Sequence, residues 1–357
     1  MKIVVYAICK NESKFVDRWY ESMKEADEIY VLDTGSTDDT VEKLKELEVK
    51  VTQSIIDPFR FDVARNMALN LIPNDDTLCI STDLDEVFES GWRKKLEENY
   101  QGETRISYTY NWALDENGKP LVSFYLDKIH TRKDYKWTHP VHEVLENINQ
   151  NETVKLIEDI VVNHYPDKTK SRKSYLPLLE LSVKEDPDDD RNMHYLGREY
   201  MYYSRYQEAI DTLINHLKLK RATWKDERCA SMRFIGRCYK NLKRFDEAIM
   251  WYEKAINEAP YLRDPYTELA YLYYELENYE KTYFYLIQAL KIKTNKKSYI
   301  NEQFSWNETI YDILSLACYQ LNFLPEALVY IDEALKINPN NERIKRNKEL
   351  IEKILNK

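Results

Sequence analysis

Glycine is scarce in this 357-residue chain, at 6 residues, and the scarcity excludes several classes of phosphate site. There is no G-x-G-x-x-G dinucleotide fingerprint and no Walker A loop. The glycine-rich phosphate loop that a sugar nucleotidylyltransferase needs near its first strand is missing too. No apolar run approaches the roughly 18 residues of a membrane span. The N-terminus enters a strand after a single lysine, without the longer apolar core of a signal peptide, so a cytoplasmic protein with no membrane partner is expected.

Cysteine and basic charge are also limited. Cys9, Cys79, Cys229, Cys238 and Cys318 are odd in number and show no paired metal spacing, so they read as reduced core thiols. With 52 Lys and Arg against 62 Asp and Glu, the net charge of −10 argues against a broad nucleic-acid-binding face. The local cluster of Lys291, Lys293, Lys296 and Lys297 reads as a solvated loop.

What is present is a repeated pattern of apolar strand and polar turn. Ile3 to Cys9 precede Lys10-Asn11-Glu12, Ile29 to Leu32 precede Asp33-Thr34-Gly35-Ser36, and Val49 to Ile55 run into Asp57-Pro58. Between them, Phe15, Trp19 and Met23 recur at helical spacing, as do Val41, Leu44 and Leu47. Strands alternating with short helices predict a parallel, doubly wound sheet, in which ligands bind beyond the carboxyl ends of the strands. The Ser, Thr and Asp residues of Ser36 to Asp39 also suit a tight turn and a helix N-cap.

A fourth apolar run ends in Asp83-Leu84-Asp85. On an extended chain the two carboxylates would share one side, and hard oxygen ligands of this kind suit Mg²⁺ or Mn²⁺ against a diphosphate.

Four motifs, in order, carry a resemblance: Lys10-Asn11-Glu12, Val31 to Thr40 with Asp33-Thr34-Gly35-Ser36 inside it, Phe61-Asp62-Val63-Ala64-Arg65-Asn66, and Asp83-Leu84-Asp85-Glu86. Residues 1 to about 110 resemble the nucleotide-sugar-binding half of a family 2 glycosyltransferase of the GT-A fold. The resemblance implies a nucleoside diphosphate sugar donor, with UDP as the nucleotide, and a site that includes Asn11 and Glu12. It implies that Asp33 bonds the uracil ring, that Arg65 lies near the nucleotide, that Asp83 holds the ribose or the metal's waters, and that Asp85 ligates the metal. Thr34 stands where many members have a second Asp.

Downstream, Arg105 to Trp112 and Val122 to Arg132 read as a hairpin joined through Asn117-Gly118. The stretch Tyr135 to Val144 then concentrates His139 and His142 with Glu143. His139 reads as a structural histidine. Glu146 stands where a zinc-protease helix needs its second histidine, so that chemistry is excluded. The branch of family 2 that includes the sublancin S-glycosyltransferase, with helical repeats behind the catalytic domain, has a similar Val-His-Glu stretch and a closing His-Tyr pair like His164-Tyr165. An inverting transferase needs a base near the acceptor, for which Glu143 and His142 are the candidates; His142 or His164 could complete the coordination of the metal.

From Asp190 the pattern turns helical and repeats. Gly197, Gly236, Ala270 and Ser315 align, followed at +9 by Tyr206, Phe245, Tyr279 and Leu324 and at +12 by Ala209, Ala248, Thr282 and Ala327. The intervals of 39, 34 and 45 residues resemble the tetratricopeptide repeat. The expected architecture is therefore an α/β GT-A domain at 1–170 followed by an all-α tetratricopeptide-like domain of about four repeats at 171–357. The repeats would rigidify the catalytic domain, grip a peptide or protein acceptor, or pair two subunits as a homodimer. The function expected is metal-dependent, inverting glycosyl transfer to a hydroxyl or thiol. A glycan or modified-nucleobase acceptor, or a non-catalytic nucleotide-binding scaffold, are the alternatives.

Overall fold

The computed structural model describes residues 1–73, 76–149, 151–167, 175–295, 298 and 300–356. Two compact units divide the chain, Met1–Ser182 and Val183–Lys296 with Ile300–Lys357. The boundary expected between residues 170 and 171 lies outside the described residues, as do Lys296 and Lys297 of the basic cluster.

In the first unit β1 (Lys2–Cys9), β2 (Glu28–Asp33), β3 (Lys50–Gln53) and β4 (Thr77–Thr82) alternate with α1 (Val16–Met23), α2 (Thr40–Glu46) and α3 (Phe61–Asn70). They are followed by β5 (Glu86–Phe88), α4 (Trp92–Asn99), β6 (Arg105–Leu114), β7 (Pro120–Thr131), β8 (Tyr135–Thr138), β9 (Val144–Asn147) and β10 (Val154–His164). The main sheet has the order β3-β2-β1-β4-β7-β6-β10-β5, and β8 with β9 forms a separate hairpin. Its first four strands are parallel, as the alternating pattern predicts. Beyond β4 the sheet is mixed, because β7 runs antiparallel to both β4 and β6 while β10 is parallel to β6.

The period of two along β1 explains why helices cover both faces. Ile3, Val5, Ala7 and Cys9 pack with Trp19 and Met23 of α1 and Leu44 of α2. Val4, Tyr6 and Ile8 pack with Ala64, Ala68 and Leu69 of α3 and with Trp137. The indole of Trp19 also donates to the Thr82 hydroxyl at 3.0 Å, tying α1 to the carboxyl end of β4.

The second unit is helical. It contains α6 (Asp190–Tyr202), α7 (Tyr206–Lys218), α8 (Lys225–Asn241), α9 (Phe245–Glu258), α10 (Asp264–Glu275), α11 (Tyr279–Lys291), α12 (Thr309–Gln320), α13 (Leu324–Ile337) and α14 (Glu342–Leu355); α5 (Tyr175–Glu185) precedes them. Four pairs, α6 with α7 through α12 with α13, match the four repeats read from the sequence. The small residue in each first helix is required by close approach. A Cβ on Gly197 would lie 2.4 Å from Leu213 Cγ, and one on Gly236 would lie 2.8 Å from the Tyr252 ring. The turn closing each first helix is also the same in all four copies. Ser204, Lys243, Glu277 and Asn322 adopt left-handed backbone. The next amide then bonds the carbonyl five residues back, as in Arg205 N to Tyr200 O at 2.9 Å. Among the described residues no helix is long and apolar enough to cross a membrane.

Candidate active site

The parallel register sets Cys9 beside Asp33 and Asp33 beside Gln53, so the polar turns share one sheet edge. Asp33 is buried, and its carboxylate accepts from the Gly35 amide at 3.2 Å, the Ser36 amide at 3.1 Å and Gln53 Nε2 at 3.4 Å. Gly35 has φ +106°, which lets the turn fold back on the carboxylate. Burial alone would raise the Asp33 carboxyl, but the hydrogen bonds from Ser36, Gly35 and Gln53 outweigh it and hold it below the usual range. A cleft of about 400 Å³ opens here, lined by Asp33, Gly35, Ser36, Gln53, Ser54 and Ile55. An acceptor carboxylate at the end of such a cleft could read the imide N–H of a nucleobase.

Asn11 and Glu12 are stitched to the same turn. Asn11 Oδ1 accepts from the Thr37 amide at 2.7 Å, the Asn11 amide donates to Ser36 Oγ at 2.8 Å, and the Glu12 amide donates to Thr40 Oγ1 at 2.8 Å. Asp38 accepts from the Thr40 amide at 3.1 Å. The Ser, Thr and Asp residues of this stretch therefore shape the loop.

The second cluster is built around Arg65, which lies on the buried face of α3 at 3% exposure. A guanidinium there needs compensation. Its Nη2 meets Asp83 Oδ1 at 2.8 Å, its Nε donates to Glu143, and Nη1 donates to Ser81 Oγ at 3.3 Å. Its carbon lies 5.1 Å from the Trp137 ring centroid. That ring is itself fixed, since Trp137 Nε1 donates to the Tyr6 hydroxyl at 2.8 Å and Tyr6 is 2.8 Å from His130 Nε2. The Thr131 carbonyl, 2.9 Å from His130 Nδ1, can only accept, so the proton sits on Nδ1 and Tyr6 donates to Nε2. Burial pushes His130 down to about 4, consistent with this neutral tautomer. Asn66, next to Arg65, exchanges two hydrogen bonds of 2.8 Å with the Trp137 backbone and docks the β8 segment on α3.

Lys128 on β7 completes the cluster. Its Nζ lies 3.4 Å from Asp83 Oδ2 and 3.1 Å from Glu86 Oε1, and Glu86 in turn accepts from the Asp83 amide at 3.0 Å. Burial would raise Asp83, but Arg65 and Lys128 hold it well below the usual carboxylate range. Glu86 goes the other way: burial raises it despite Lys128.

Asp83 and Asp85 do not stand on an extended strand. β4 stops at Thr82, and the Glu86 amide bonds the Asp83 carbonyl at 3.0 Å, closing a turn that separates the two carboxylates. Asp83 faces Arg65 and Lys128, while Asp85 Oδ2 lies 3.3 Å from His164 Nε2. His164 ends β10, and its Nδ1 lies 3.0 Å from the Trp112 carbonyl. The carbonyl again fixes a proton on Nδ1. Burial would lower His164, but the hydrogen bond and charge of Asp85, which also only accepts, raise it and favour a second proton on Nε2, which that nitrogen would give up to bind a cation. Of the two histidines expected near the metal, His164 is the one on Asp85; His142 packs against the Tyr175 ring at 5.8 Å.

Among the described residues no three His, Cys, Asp or Glu side chains converge as a self-sufficient metal cage. Mg²⁺ and Mn²⁺ do not need one, since one or two protein ligands with phosphate oxygens suffice. Asp85 with His164 fits that donor set. Sequence reasoning did not single out Lys128 for the site. Its only local signal is a lysine beside buried Ile129 in an interior strand.

Residues 4–163 match the model of glycosyl transferase family 2, and residues 234–261 and 264–296 match a tetratricopeptide repeat model. Two relatives, the SPbeta prophage-derived glycosyltransferase SunS of Bacillus subtilis (strain 168) and glycosyltransferase SunS of Bacillus phage SPbeta, are each 27% identical over 240 residues. The match covers 60% of this chain and 53% of theirs, so the chain spans about half the length of these relatives. Solved structures similar to it include MamA, at 18% identity and TM-score 0.37 over 47% of this chain and 83% of that one. YrrB, described as a TPR protein with an unusual peptide-binding site, aligns at 15% identity and TM-score 0.39 over 48% and 81%.

Proposed function

We propose, from the premise that residues 4–163 form a glycosyl transferase family 2 domain, that this chain moves a sugar from a nucleoside diphosphate sugar, with UDP as the nucleotide, to a hydroxyl or thiol on a peptide or protein. The limits 1–170 and 171–357 are kept for the transferase and repeat domains. The observation that carries the reading is the Asp85–His164 pair at 3.3 Å, lying beside the Arg65–Asp83–Glu143 cluster at the carboxyl ends of the strands.

Each residue has a task in this reading. Asp33 accepts the imide N–H of the base, with Asn11 and Glu12 holding the loop that frames it. Arg65 and Asp83 border the nucleotide. Asp85 and His164 would hold Mn²⁺ or Mg²⁺, which supplies positive charge to the departing diphosphate. Glu143, oriented by Arg65, takes the acceptor's proton, with His142 adjacent in sequence. Lys128 keeps Asp83 and Glu86 together without a metal. The repeats present the peptide acceptor.

The test is to incubate the purified chain with UDP-glucose, UDP-galactose and UDP-N-acetylglucosamine, with Mn²⁺ or with EDTA, and to measure release of UDP. Release from one donor that needs Mn²⁺ supports the reading. Equal release with EDTA overturns the metal's role, and a UDP-sugar that binds but yields no UDP, alone or with added hydroxyl- and thiol-bearing peptides, favours a nucleotide-binding scaffold.

A further inference from the structure

Three strands at the end of the main sheet bring one aromatic residue to the Asp85–His164 pair. β10 pairs with β5 so that His164 lies opposite Glu86, and with β6 so that Asn163 lies beside Asn111. The next residue of β6 is Trp112. Its carbonyl is the group 3.0 Å from His164 Nδ1, and its indole is stacked with the His164 ring at 6.5 Å between centroids and 26° between planes. Tyr110 stacks with the same imidazole at 5.9 Å and 28°.

The members of this pile differ in exposure. Tyr108 and Tyr110, which precede Trp112 on the same face of β6, are buried, whereas Trp112 is 50% exposed. A single exposed tryptophan is ordinary. This one is held by the histidine that meets Asp85, at the rim of a site whose other groups are charged. An indole face offers a flat apolar surface, and the C–H face of a pyranose is its complement; indole also orients a ligand at little entropic cost because only two torsions are fixed.

We propose that Trp112 is the platform on which the donor's sugar ring rests, and so a specificity-determining residue. This rests on the glycosyltransferase reading above. The sugar is bonded directly to the diphosphate, so it can lie no more than about one ring from the groups that hold that diphosphate. In an inverting displacement the acceptor approaches from the side opposite the leaving group. An aromatic surface in contact with His164 therefore serves the donor's sugar in preference to the acceptor.

The experiment is calorimetric titration of the full chain, with Mn²⁺, using UDP and then UDP-glucose, UDP-galactose and UDP-N-acetylglucosamine. Wild type, Trp112→Ala and Trp112→Phe are compared. Tyr125→Ala serves as the control, because Tyr125 is a similarly exposed aromatic residue on the neighbouring strand. The platform predicts that Trp112→Ala binds UDP as wild type does but loses about tenfold in affinity for the preferred UDP-sugar. Trp112→Phe should keep most of that affinity and Tyr125→Ala all of it. Unchanged UDP-sugar affinity in Trp112→Ala overturns the proposal. An equal loss for UDP and UDP-sugar also overturns it, since Trp112 would then act only by supporting His164. If wild type itself binds neither UDP nor any UDP-sugar, the donor site fails as a whole and the platform falls with it, a failure visible before any variant is made.

Discussion

Arg65 of α3 joins Asp83, in the turn after β4, to Glu143, in the segment before β9, so one guanidinium ties together parts of the chain 78 residues apart. The contact places a cation at the carboxyl ends of the strands and leaves Asp85 and His164 facing each other beside it.

Removing that cation should cost stability. Arg65→Met leaves Glu143, whose side chain is 11% exposed, without its partner. Asp83 is better solvated, with its side chain 36% exposed, so the loss should fall near the lower end for a broken buried pair, about 2–3 kcal/mol. Urea unfolding measures it. A loss under about 1 kcal/mol would mean that the cluster is held by its backbone alone.

Much of the first unit was legible because its signals are local. The alternation of apolar strand and polar turn identified β1, β2, β3 and β4, while Asp33, Arg65, Asp83 and Asp85 were singled out through the resemblance to family 2 glycosyltransferases. Lys128 was not legible, because its partners Asp83 and Glu86 lie more than forty residues away and meet it only through the β4–β7 pairing. The same limit applies to the histidines. Nothing local distinguishes His142 from His164, and only the register of β10 against β5 and β6 assigns His164 to Asp85. The strand-based account of the Asp83–Asp85 pair failed because a turn begins one residue after β4.

The repeats should reject added bulk at their first-helix glycines. Gly197→Ala gains helix propensity of about 1 kcal/mol but drives a methyl into Leu213. We expect a net loss of about 1–2 kcal/mol, and a smaller loss for Gly236→Ala, where the nearest atom, on the Tyr252 ring, is 2.8 Å away and the overlap is less. Denaturation of the full chain tests the order; a stabilising Gly197→Ala would contradict the close helix contact.

Acid should destabilise the second unit through His194. This fully buried ring bonds Ser231 at 2.7 Å, and Ser231 in turn meets His216 at 2.9 Å. Burial pushes His194 down to about 3, with Arg198, His216 and Arg233 acting in the same direction against Glu227. Its folded value lies below its unfolded value. The stability it carries is therefore present above about pH 6.5 and is lost as pH falls toward 3, at up to about 1.4 kcal/mol per pH unit. Between pH 7 and 5 the loss should be clearly smaller in His194→Gln than in wild type. Parallel pH profiles for the two would remove His194 from the account.

The central claim is that Asp85 serves a metal-dependent transfer. Its most direct test is the initial rate of UDP release from the donor that wild type accepts, with Mn²⁺ present, in wild type and Asp85→Asn. The account predicts that Asp85→Asn folds and still binds UDP but loses at least about a hundredfold in rate, because charge on the leaving diphosphate is no longer stabilised. An Asp85→Asn rate close to that of wild type would contradict it.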